Sequence, residues 1–196
     1  MRLLQALQPR ELPDEVVNPF YFKEPVAPLI AARSQGILVT LNLAREAILT
    51  AQEHCKCLIV EGIGGVLVPL GQGYSVADLI ACLKCETIVV ARNKLGTINH
   101  TLLSIEALRK RGVDRIKVVL NEEKTKDDSV KSNAMTIAQT AGNISVLSLR
   151  NFGNEAAFPG AVKTIAKKSK KTLARIAHPD TFAARYSGCS ESSKTK

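Results

Sequence analysis

Two hydrophobic rhythms alternate along this chain. Short apolar-rich runs appear at Cys57-Leu58-Ile59-Val60, Thr87-Ile88-Val89-Val90-Ala91 and Ile116-Lys117-Val118-Val119-Leu120, with a fourth over residues 144–149. Runs of this length predict strands buried on both faces. Between them, apolar positions recur at helical spacing. Leu43, Ala47, Ile48 and Ala51 predict a helix over residues 41–54. Ser75 with Asp78 three residues later predicts a capped helix over residues 75–83. A helix over residues 97–111 carries Arg109, Lys110 and Arg111 in its last turn and Gly112 just beyond. Further helices are predicted over residues 128–140 and 160–176. The first thirty residues hold Pro9, Pro13, Pro19, Pro25 and Pro28 and are expected to be irregular.

Strands of four to six residues alternating with helices predict a parallel α/β sheet. Ligands of such sheets sit outside the carboxyl ends of the strands. The residues that matter are therefore those following each run. Glu61 leaves the first run and enters Gly62-Ile63-Gly64-Gly65. A carboxylate there can hold magnesium, and the glycines can bring backbone N–H groups close to a ligand. The same glycines equally suit a plain tight turn. Lys94-Leu95-Gly96-Thr97-Ile98-Asn99-His100 carries the second run into a helix. Thr97 is the expected N-cap, the helix start beyond it is an anion site, and Lys94 adds positive charge. A capped helix with a solvated lysine is the plainer alternative. His100, alone in the first turn, reads as structural more readily than as a base. Asn121, after the third run, has an amide able to read an adenine edge, although asparagine also ends strands for turn reasons.

Composition and charge narrow the class. The 196 residues are 45% hydrophobic and 23% charged, which excludes a disordered chain. No apolar run is long enough to cross a membrane, and the N-terminal residues do not read as a secretory signal, so a cytoplasmic protein is expected. The five cysteines then read as reduced thiols. Cys55 with Cys57 and Cys82 with Cys85 have zinc-like spacing, but ordinary buried thiols account for all four more readily. Residues 160–196 hold +7 of the net +9, so the basicity belongs to the last helix and tail. That segment offers only Phe182 and Tyr186 for stacking, which argues for a solvated basic face over a nucleic-acid surface. The phosphate-loop pattern G-x-x-x-x-G-K-S/T occurs nowhere in the 196 residues.

Three segments together resemble a known family. They are Val17-Asn18-Pro19-Phe20-Tyr21-Phe22-Lys23-Glu24-Pro25, Val60-Glu61-Gly62-Ile63-Gly64-Gly65 followed by Val68-Pro69-Leu70, and Leu95-Gly96-Thr97-Ile98-Asn99-His100. In this order they resemble dethiobiotin synthetase over roughly residues 1–150. The resemblance implies a three-layer parallel α/β sheet of the phosphate-loop NTPase type, missing its first strands. It implies one domain over residues 1–176 and a flexible tail over 177–196. The implied reaction is closure of a ureido ring on 7,8-diaminopelargonate (7,8-diaminononanoate) with carbon dioxide, driven by ATP and magnesium in a homodimer. By the same resemblance, Glu61 is the acidic Mg2+ ligand, and Gly62, Ile63 and Gly64 lie beside it along the ATP. Ile63 replaces the small residue usual in the family. Asn121 is the adenine reader. Lys94, Leu95, Gly96, Thr97, Ile98 and Asn99 form the loop that holds the substrate carboxylate across the dimer interface.

The family opens with a strand, the phosphate loop, a catalytic lysine after the second strand and a further acidic metal ligand. In alignment, Met1 falls just after that acid. The expectation is an N-terminally truncated relative with no catalytic residue of its own and activity lowered by many orders of magnitude. Two alternatives stand beside it: a non-catalytic partner lending residues 94–99 to a full-length copy, and a basic nucleic-acid-binding module.

Overall fold

A computed structural model describes residues 12–125, 127–153 and 158–178. Helices form within the proline-rich start, contrary to the sequence expectation. Helix α1 (Asp14–Val17) follows Pro13, and α2 (Pro28–Ser34) begins on Pro28. Proline suits a first helical position because no N–H is needed there and its φ is already helical. Helix α3 (Leu41–Gln52) starts where Thr40 Oγ1 accepts the Leu43 N–H at 3.2 Å, and it buries Ala44 and Ala51. It stops two residues short of the predicted end.

The first apolar run is not a strand. Residues 57–60 are irregular, with Ile59 89% exposed and Val60 exposed. A strand exists only by pairing, and among the described residues no ladder partner meets this run. A short hairpin that the pattern did not predict follows it. Strand β1 (Pro69–Gly71) pairs antiparallel with β2 (Tyr74–Ser75), turning at Gly73 with φ +80°. Helix α4 (Val76–Leu83) then begins as its sequence predicts. The Ser75 N–H donates to Asp78 Oδ2 at 2.7 Å in a capping box, and left-handed Lys84 ends the helix.

The centre of the protein is a three-stranded parallel sheet. Strands β3 (Thr87–Asn93), β4 (Ile116–Glu122) and β5 (Ser145–Leu149) lie side by side in chain order. Helices α5 (Thr97–Arg109) and α6 (Val130–Thr140) make the two crossovers. Both pack on the same face, since α5 contacts β3 and α6, and α6 contacts β5. Alternate residues of β4 share that face. Ile116, Val118 and Leu120 accordingly join Ile105 and Leu108 of α5 and Ile137 of α6 in one buried cluster. Gly112 sits past α5 with φ +75°, as its sequence position suggested.

The opposite face of β4 carries Lys117, whose side chain is fully buried. The last predicted helix is in fact two, α7 (Pro159–Lys168) and α8 (Lys170–Ala177), divided at buried Ser169. The break lets α8 lie against β5 and bring the carbonyls at its end to the lysine. Lys117 Nζ donates to Arg175 O at 3.0 Å, to Ile176 O and to His178 O at 3.4 Å. A helix C-terminus is the partially negative end, so it suits a cation. Burial still pushes the Lys117 amine below its ordinary value, against the pull of the Glu86 charge. Among the described residues, helix α8 thus covers the second face only at β4 and β5; at β3, Ile88 and Val90 are exposed on that face, so this strand is not buried on both faces as its sequence predicted. The tail predicted to be flexible lies, from residue 179, outside the described residues.

Candidate functional site

The parallel register aligns the strand ends. Asn121 stands opposite Arg92 of β3 and Leu149 of β5. These three residues form one row at the carboxyl edge of the sheet. Asn121 is exposed there, within β4, which runs on to Glu122.

The 94–99 segment rises from the same edge. Lys94 is exposed and Leu95 is 80% exposed. Gly96, not Thr97, is the residue that caps α5. Its φ of +91° is open to glycine at no steric cost, so the chain turns into the helix there without a side-chain cap. Thr97 is the first helical residue. It is buried, its Oγ1 lies 3.5 Å from Thr101 Oγ1, and its N–H donates to Lys94 O at 3.1 Å. Among the described residues the next two N–H groups, of Ile98 and Asn99, meet no acceptor. Such first-turn donors at the positive end of a helix suit an anion. A groove of about 210 Å³ runs along β3 and the start of α5, lined in part by Arg92, Lys94, Thr97 and His100 but not by Ile98 or Asn99. Arg92 and Lys94 make its rim positive, and Glu123, 3.9 Å from Arg92 Nε, offsets part of that charge.

Glu61, Gly62, Ile63 and Gly64 come from another part of the chain. All four are exposed on the irregular stretch before the hairpin. Gly62 backs onto Val76: a Cβ there would meet Val76 Cγ1 at 3.0 Å. Gly64, with φ +71°, is closed against Val68 in the same way, at 2.8 Å. The structure therefore brings Asn121 and residues 94–99 to one edge of the sheet, and it sets the glycine turn beside the start of α4. No hydrogen bond or ion pair joins Glu61 to either group among the described residues. Nor do the described residues contain a group of three or more His, Cys, Asp or Glu side chains able to hold a metal ion. One exposed carboxylate fits magnesium only as a single ligand to an ion already held by phosphate oxygens.

The pattern along the chain missed the side chains that shape the 94–96 loop. Asn93 and Asn133 are both buried, and Asn133 Nδ2 donates to Asn93 Oδ1 at 2.9 Å. Asp127 Oδ2 accepts the Leu95 N–H at 2.9 Å. Hydrogen bonds from Ser129 first, and then from Leu95, hold the Asp127 carboxyl below its usual range. One signal was readable. Asn133 precedes Ile137 by four residues on the buried stripe of its helix, where a polar residue needs a partner.

A model of the AAA domain family matches residues 2–152, more than half of the chain. The chain belongs to this family. Among curated proteins, this family member is 44% identical over 119 residues to the ATP-dependent dethiobiotin synthetase BioD of Bacillus licheniformis, covering 61% of this chain and 51% of that protein. It is 41% identical over 131 residues to the enzyme of the same name from an Anaeromyxobacter species, covering 66% and 59%. To that of Bacillus subtilis it is 36% identical over 141 residues, covering 71% and 61%. The chain spans between half and two thirds of the length of these relatives. The α/β sheet with its parallel strands is the architecture that the resemblance implied.

Proposed function

We propose that this AAA-domain chain takes part in dethiobiotin synthesis, and that its β3–α5 loop holds the carboxylate of 7,8-diaminopelargonate. The observation carrying this is the Leu95-Gly96-Thr97-Ile98-Asn99-His100 segment. It forms a strand-to-helix turn with two open N–H donors and a cationic rim. The same carboxyl edge presents Asn121, whose amide offers both a donor and an acceptor to an adenine. The relatives named above are dethiobiotin synthetases, which supports the reading.

In the proposed reaction one substrate amine adds to carbon dioxide and loses a proton, giving a carbamate. A carbamate oxygen takes the γ-phosphoryl group of ATP, and ADP leaves. The second amine then attacks the carbamate carbon and expels phosphate, closing the ureido ring. Magnesium, when bound with the nucleotide, would offset phosphate charge, with Glu61 as one oxygen ligand. The chain's own part is positional. The loop anchors the far carboxylate so that the diamine end is held in place, and such anchoring replaces a costly encounter by a bound geometry. Residues 1–196 contain no phosphate-loop motif, so turnover needs that element from elsewhere. We place the protein in the cytoplasm and as a homodimer. Among the described residues no helix is long and apolar enough to span a membrane, and the four described cysteines are free.

Calorimetric titration of the purified chain with 7,8-diaminopelargonate tests the reading. Binding is expected, and Lys94→Ala should weaken it about tenfold, the size of one charge-assisted contact. Folded wild-type protein that shows no affinity for the diamine acid would overturn it.

A further inference from the structure

Two side chains, Asp127 from the β4–α6 connection and Asn133 from α6 itself, reach across to the 94–96 loop. Asp127 accepts the Leu95 N–H through Oδ2 at 2.9 Å. Its other oxygen accepts the Ser129 N–H at 2.9 Å and the Ser129 hydroxyl. Asn133, only 1% exposed, donates from Nδ2 to Asn93 Oδ1 at 2.9 Å, to Ser129 Oγ at 3.1 Å and to Lys94 O at 3.4 Å. Ser129 touches both, so the three side chains act as one unit. Together they fix three successive residues, Asn93, Lys94 and Leu95, just before the left-handed Gly96.

Little else holds that loop. Leu95 packs on almost nothing, and glycine at position 96 leaves the backbone its widest freedom. A loop with few apolar contacts opens easily unless hydrogen bonds restrain it. The bonds to Asn93, Lys94 and Leu95 supply the restraint from a segment over thirty residues away in sequence. They also divide the donors. The Leu95 N–H is spent on Asp127, whereas the Ile98 and Asn99 N–H groups remain open.

We propose that Asp127 and Asn133 are positioning residues that set the ligand-binding conformation of the 94–96 loop. The ligand is held by the first turn of α5 and not by the Leu95 backbone. The consequence for binding rests on the reading of the loop as a carboxylate holder, whereas the consequence for loop structure does not. Two measurements on the full chain separate them.

The first is amide hydrogen exchange by NMR. In Asp127→Ala the Leu95 amide should exchange at least tenfold faster, with the β4 amides of Val118, Val119 and Leu120 unchanged. Asp127→Asn, which keeps an acceptor oxygen, should restore part of the protection. Unchanged exchange at Leu95 in Asp127→Ala overturns the proposal. The second is calorimetry with 7,8-diaminopelargonate. Asp127→Ala should lose about tenfold in affinity, with partial rescue in Asp127→Asn. Ser129→Ala, which removes the shared hydroxyl from the half-buried start of α6, should weaken binding in the same direction. Faster Leu95 exchange with undiminished affinity overturns the positioning role. Should the wild-type chain bind no diamine acid, the functional reading fails, and the exchange data on Asp127→Ala, with the same measurement on Asn133→Ala, decide whether Asp127 and Asn133 set the loop.

Discussion

Asp78 and Arg111 join two separate helix ends: Arg111 Nε donates to Asp78 Oδ1 at 2.6 Å, while Asp78 Oδ2 is taken up by the cap of α4. The hydrogen bond from Ser75, followed by the Arg111 contact, holds the Asp78 carboxyl below its ordinary value. Because the folded-state value is lowered, the stabilisation is complete above the usual aspartate range. It is lost as pH falls through the folded-state value. Ser75→Ala should cost about 1 kcal/mol in urea unfolding at neutral pH. Asp78→Ala should cost more, because it also strips Arg111, and its deficit should shrink in acid.

Gly71 tolerates no side chain. A Cβ there would run into Val39 O and the Tyr74 ring. Gly71→Ala is expected to destabilise by about 1–3 kcal/mol, read as a lower thermal midpoint. Gly65→Ala, with nothing within 4 Å of the new methyl, should stay within about 0.5 kcal/mol of wild type.

Tyr74 carries a cost that can be removed. Its hydroxyl is buried with no hydrogen-bond partner among the described residues, and burial raises its pKa. Tyr74→Phe should leave stability unchanged or raise it by up to about 1 kcal/mol, because an unpaired buried donor is worse than none. A clear loss of stability would show that the hydroxyl is bonded after all.

Lys117→Met should keep the β3–β4 ladder but leave the α8 carbonyls without their donor. The expected loss is about 2 kcal/mol. Limited proteolysis should then cut near residues 175–178 sooner than in wild type. In the wild-type protein, the lowered amine makes stability rise with pH between its folded-state value and the ordinary lysine range. That rise should be missing in the variant.

The sheet and the helices packed on it were legible because period and burial coincide. The apolar-rich runs at Thr87 and Ile116 and the stripe through Ile105 and Leu108 meet in one buried cluster, although Ile88 and Val90 of the first run stay exposed on the other face. The Ser75–Asp78 cap could be read directly, because a capping box is a local exchange of hydrogen bonds. Three features depended on partners that a local pattern does not contain. The run at residues 57–60 has strand composition, yet no neighbour pairs with it. Pro13 and Pro28 looked like breakers and instead start helices. The division at Ser169 serves a lysine more than fifty residues away. The candidate site was legible in the same partial way. Residues 94–99 and Asn121 could be named from strand ends, but Asp127 and Asn133 reach the loop only once the chain has folded back on itself.

The side-by-side order of β3, β4 and β5 bears on how the protein reaches its native state. Paired residues of β3 and β4, such as Thr87 and Ile116, are 29 apart in sequence, and Lys117 and Ser145 are 28 apart. Each crossover therefore closes a modest loop, and no strand has to thread between two already paired. Folding rate follows the sequence separation of contacts. A sheet assembled from such neighbouring units has a short search. The residues of the carboxyl edge gather as each crossover closes.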